Sequence, residues 1–207
     1  MAGFVAIAAV GKSLERLLAQ AFTERPPVPN KTAKAALIRT EDLAEGKMKP
    51  LIGDYGLSIL LYRVDFNKTM RAAWSAVGHA DGRGHLPLDL HYLLTPWADN
   101  AEHQHMIIGR AMQVLERHAM LSGPMLYAPS LPAGPTYRDE PQPSATDTVQ
   151  LVLEEISTEA LMRTFDSLPS DYRLSVPYVA RVARIDTLAD DLAPPVLDAD
   201  VAMRVDA

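Results

Sequence analysis

The residue types that could do chemistry fall in four short stretches. Asp89 and His91 stand two apart in an alternating run, so on a strand they share one face. A carboxylate beside an imidazole is the simplest general acid–base pair. No nucleophile motif such as GxSxG accompanies them, and a hydrogen bond across a sheet is the better reading. A small-molecule enzyme using Asp89 and His91 in a pocket beneath residues 67–85 is the weaker alternative. His103 and His105 flank Gln104; residues two apart on a helix point to different sides and do not share a metal. Gly11, Lys12 and Ser13 resemble the end of a phosphate-binding loop, but Ala6 stands where that motif needs its leading glycine, and no strand precedes it. Asp81, Gly82, Arg83 and Gly84 are too few to cradle a phosphate. The chain has no cysteine, which excludes disulfides and thiolate metal sites. No catalytic residue, metal ligand or cofactor-binding residue is therefore expected.

The elements that would position these groups centre on Leu86 to Met120. Leu86, Leu88, Leu90, Tyr92 and Leu94 alternate with Pro87, Asp89, His91 and Leu93, the period of a strand with one buried face. After Trp97 the period becomes helical: Ile107, Ile108, Ala111, Met112, Val114 and Leu115 recur on one side, with Asp99 or Asn100 as N-cap and Glu102 in the first turn. So short a connection makes the helix pack back on the sheet of its own strand.

On either side of this unit the pattern is similar. Phe4, Ile7, Val10, Leu14, Leu17, Leu18 and Ala21 form a helical stripe that ends before Pro26 and Pro27. Ala35 to Ile38 read as a short strand, Glu41 to Lys49 as a charged turn, and LSILLYRVDF after Gly56 as a central strand covered on both faces. Residues 67–85 and 122–146 read as long loops, with Trp74 a candidate contact residue in the first and six prolines in the second. Thr148 to Glu154 alternate as a strand, and Ser157 caps a short helix carrying Leu161, Met162, Phe165 and Leu168. The last strand spans Tyr172 to Ile185. Its Pro177 lacks an N–H, which argues for an edge or bulge where another chain adds on.

These readings imply an α/β fold, a mixed four- to five-stranded sheet with helices packed on it. A single domain over residues 1–186 would be followed by an acidic Ala/Asp/Pro tail or docking arm over 187–207. The chain of 207 residues is 48% apolar and 22% charged, with a net charge of −6. That balance carries no footprint for nucleic acid or an anionic membrane. No apolar run approaches the roughly 18 residues of a spanning helix, and no basic region precedes the N-terminal stripe, so a cytoplasmic protein is expected.

The helix with GKSLERLLAQAF, the strand LSILLYRVDFN, the unit LPLDLHYLLTPWADNAEHQHMIIGRAMQVLERHAML and the closing STEALMRTFDSLPSDYRLSVPYVARVARI follow one another in an order that resembles the N-terminal domain of cap, or tube-terminator, proteins of contractile injection systems. These are relatives of contractile phage tails, and the resemblance spans about residues 3–186. It implies a tail-terminator-like fold and a structural protein that closes the end of an inner tube and its contractile sheath and stops elongation. It further implies tube and sheath proteins as partners, a homo-hexameric ring, and no covalent chemistry. A connector elsewhere in the tail is the alternative within this class. With an open edge at Pro177, sheath attachment by strand addition would engage Arg173, Ser175, Pro177, Val179 and Arg181.

Overall fold

The computed structural model describes residues 3–71, 84–132 and 147–186. Trp74 and the acidic stretch 187–207 therefore lie outside the described residues. In chain order the elements are α1 (Ala6–Glu24), β1 (Lys34–Ile38), a 3-10 turn (Thr40–Leu43), α2 (Met48–Ile52), β2 (Gly56–Phe66), α3 (Lys68–Arg71), β3 (His85–Trp97), α4 (Ala101–Arg117), β4 (Met120–Ser122), a second 3-10 turn (Gly123–Met125), β5 (Thr148–Leu153), α5 (Thr158–Asp166) and β6 (Val176–Asp186). One six-stranded sheet runs in the order β1-β2-β3-β6-β5-β4. It is mixed: β1 lies parallel to β2, and every other pair is antiparallel.

Six strands replace the expected four to five because β4 is only three residues long, too short to show alternation in the sequence. The strand β3 keeps its alternation from Leu88 onward but is buried on both faces rather than on the one expected, and Leu86 is exposed. Leu88, Leu90, Tyr92 and Leu94 join the main core, whereas Leu93 points into a smaller core with Ile38, Leu43, Met48, Ile52, Leu60 and Phe165. Two helices cover the main core. From α1 come Val10, Leu14, Leu18 and Phe22 at helical spacing; from α4 come Ile107, Ile108, Ala111, Val114 and Leu115. Asn100 caps α4, its side chain accepting from the His103 amide at 2.8 Å, and Glu102 lies in the first turn.

Two glycines permit close approach. A Cβ at Gly56 would sit 2.7 Å from the Lys34 carbonyl oxygen and 2.8 Å from Ile52 Cβ, so β2 can start beside β1 and the end of α2 only without a side chain there. At Gly11, α1 lies against Leu37 and the Tyr92 hydroxyl, which is buried without a hydrogen-bond partner among the described residues. The neighbouring Lys12 pairs with Glu15 along the helix, and Ser13 donates to the Ala9 carbonyl and accepts from the Tyr127 amide. The Gly-Lys-Ser run is thus helix, as its broken motif implied.

The strand β2 departs from the expected burial on both faces. Gly56 to Leu60 are buried, but Arg63 to Phe66 are exposed beyond a register shift between Leu61 and Arg63. Val64 and Phe66 pair with Leu90 and Leu88 and so continue the main core's face. They remain 43% and 55% exposed. No helix among the described residues is long and apolar enough to cross a membrane.

Candidate functional site

The expected edge strand is an interior strand. Pairing with β3 covers one side of β6, and pairing with β5, from Leu153↔Tyr178 to Gln150↔Arg181, covers the other. Pro177 is tolerated because it stands one residue inside the strand's start. Its carbonyl accepts from the Glu154 amide at 3.0 Å, so the N–H it lacks would point to the same side, where the β5 ladder has already stopped at Leu153.

The five residues proposed for strand addition consequently separate. Ser175 is buried and bonded to the Thr95 hydroxyl at 2.7 Å; Pro177 and Val179 are buried opposite Leu93 and His91. Only Arg173 and Arg181 reach the surface. Arg173 stacks on the Trp97 ring at 4.4 Å, and Arg181 approaches Asp89 at 3.5 Å.

Asp89 and His91 do share a face and line one cleft of about 620 Å³. Each is held by a different neighbour. Asp89 accepts from the Asn67 amide nitrogen at 3.1 Å. His91 is nearly enclosed, with Nδ1 2.9 Å from Glu154 and Nε2 3.3 Å from Asp65. The same Glu154 carboxylate accepts from Arg63 and from the Tyr62 hydroxyl, both at 3.0 Å. Burial first and then Glu154 push the Tyr62 phenol far above its ordinary pKa. The arrangement is an ionic clasp joining β2, β3 and the exit of β5. Among the described residues no group of three or more His, Cys, Asp or Glu is placed to hold a metal; the His103 ring instead contacts Asp99, and its backbone N–H donates to the Asn100 cap.

The larger concavity was not anticipated. A groove of about 1310 Å³ lies at the other end of the sheet, between residues 43–55, the end of β3, and the stretch from α5 to Arg173. Its floor is apolar and aromatic: Met48, Ile52, Trp97 and Phe165, with Met162 and Tyr172 on the rim. Local chemistry builds each wall. Gly53, at φ 78°, ends α2 in a conformation that favours glycine. The Tyr55 hydroxyl donates to Asp99 at 2.7 Å, which, with His103, holds that carboxyl below the usual carboxylate range and raises the Tyr55 phenol. Ser157 caps α5, accepting from the Ala160 amide, and α5 inserts Phe165 edge-on to Tyr172. The sequence signal for this groove was the spacing of Leu43, Met48 and Ile52, which a charged neighbourhood obscured.

The family model described as the Pvc16 N-terminal domain matches residues 9–198. Among solved structures the chain is similar to the PVC sheath/tube terminator of an extracellular contractile injection system in its extended state, at 20% identity and a TM-score of 0.52 over 97% of this chain and 64% of that one. It is also similar to the anti-feeding prophage cap, the AFP tube terminating cap, at 17% identity and a TM-score of 0.47 over 95% of this chain and 60% of that one. The chain thus spans less than two thirds of the length of either structure. No curated protein matches it in sequence.

Proposed function

The chain belongs to the Pvc16 N-terminal domain family, and from that membership we propose that it is a structural terminator: it closes the end of the inner tube and contractile sheath of a phage-tail-like injection particle and stops their elongation. The observation that carries this reading is the family match over residues 9–198, which includes every described element from α1 through β6 except the first residues of α1.

The mechanism is steric. One face of the terminator meets the last tube ring, its periphery meets the last sheath ring, and no further subunit can add. A ring of six copies would match a six-fold tube. The ionic clasp suits such a role, because charged groups bonded to one another hold β2, β3 and the end of β5 in fixed register rather than turning over a substrate.

Tube protein polymerised in vitro, with and without the chain, tests the proposal. Tubes of reduced and narrower length distribution, with the chain at one end by gold labelling, are expected. Unchanged tube lengths and no end binding of tube or sheath would overturn it.

A further inference from the structure

We infer that the chain associates head to tail with a second copy of itself, the β2–α3 corner of one copy seated in the apolar groove of the next. The inference deepens the proposed ring and rests on that reading for its biological setting.

The two surfaces differ in place, shape and charge. The groove stands at the Trp97 end of β3, whereas Phe66 pairs with Leu88 near the start of the same strand. At about 3.3 Å per residue they are roughly 30 Å apart. A chain that joins two different patches of itself makes a heterologous contact, which closes into a ring when the rotation permits. With a volume of about 1310 Å³ the groove exceeds the ~300–1,000 Å³ of small-molecule pockets and has the size for a chain segment.

Its rim carries five carboxylates against three cations. All three cations are already engaged: Lys49 with Asp54 at 2.6 Å, Lys31 over the Tyr55 ring, and Arg173 over Trp97. Glu45, Asp166 and Asp171 make no ion pair among the described residues. An acidic mouth over an aromatic floor selects a basic segment with an apolar anchor.

The β2–α3 corner supplies that chemistry. Phe66 is 55% exposed, and the exposed Lys68 and Arg71 follow it in α3 without an ion pair among the described residues. The corner is preformed, which lowers the cost of docking: Asn67 donates its backbone N–H to the Pro87 carbonyl and accepts from the Met70 amide. The chain's own residues 187–207 are the wrong sign for the groove, with five aspartates against one arginine.

The test is the self-association constant of the full chain, by sedimentation over a concentration series at low salt, beside the tube-length assay. K68E/R71E and D166K/D171K alter exposed residues and should melt like the parent. Each is expected to weaken association at least tenfold, and all four changes in one chain should restore it by inverting the pairing. F66S, also at an exposed position, should weaken association by a similar factor.

Parental association in the folded double variants, or no recovery in a folded quadruple variant, would overturn the docking. A parent chain monomeric at every concentration, with or without tubes, would do the same. If tubes are nevertheless capped, the terminator reading survives that failure; if the pairing behaves as stated but tubes grow unchecked, it is the terminator reading that fails.

Discussion

Leu93 and Leu94 are neighbours on one strand, both only 2% exposed, yet they enter different interiors. Leu94 points into the main core under α1 and α4; Leu93 points into the small cluster that also floors the groove. The first face is closed by two long helices. The second is a shallow apolar cluster with a groove at one end and an ionic clasp toward the other. The difference lies in what covers each face: two long helices close one, whereas the other carries the groove and the clasp.

The comparison breaks most directly at those two residues. Leu94→Ala should cost about 4 kcal/mol, because a cavity between sheet and packed helices cannot collapse, and Leu93→Ala about 2, because the groove side can relax. Urea denaturation of both variants measures this, and equal or inverted losses would abolish the distinction. Next in size is the clasp. Glu154→Ala should cost about 2 kcal/mol, since it strips partners from enclosed His91, from Tyr62 and from Arg63 at once. A loss within error in chemical denaturation would show that the clasp is ornamental.

A smaller and opposite effect belongs to the helical face. Tyr92→Phe removes a buried hydroxyl that has no partner among the described residues and should stabilise the chain by about 1 kcal/mol, which for this size corresponds to a melting rise of roughly 2–4 °C. A lower melting temperature would mean that the hydroxyl is satisfied after all.

The smallest effect is at the groove wall. The Asp99 carboxyl is depressed in the folded state, so its stabilisation is present above the ordinary carboxylate pKa and is lost as pH falls through the folded value. Asp99→Asn should therefore melt below the parent at pH 7, and the gap should narrow as pH falls below the ordinary carboxylate range. A difference that persists in acid would assign the effect to packing.

How much of this was legible in the sequence follows from the same contrast. Where one face is buried under a long element, periodicity reports it: Leu88 to Leu94, Val10, Leu14 and Leu18 of α1 and the caps Asn100 and Ser157 stand where the spacing put them, whereas Leu86 and Phe4, at the ends of their runs, are exposed. The groove was not legible, because its walls come from residues 43–55, 97–99 and 162–173, and no spacing within any one of them shows that the three meet. Pro177 misled for a local reason. A proline rules out a ladder bond only where a partner strand is still present, and the sequence does not say where β5 stops. Three-residue β4 lies below the length at which any period shows.

The position of β6 also bears on how the chain is made. Strands β4 and β5 reach the rest of the sheet only through β6, which enters between β5 and β3. During synthesis the first three strands and the β4–β5 pair emerge as two separate half-sheets, each with an unsatisfied edge, and neither is complete until residue 186 has left the ribosome. Contacts of such long sequence separation fold slowly. A sheet finished only by its last strand offers no complete surface while the chain is being translated, so any contact that needs the whole sheet waits until that strand has emerged.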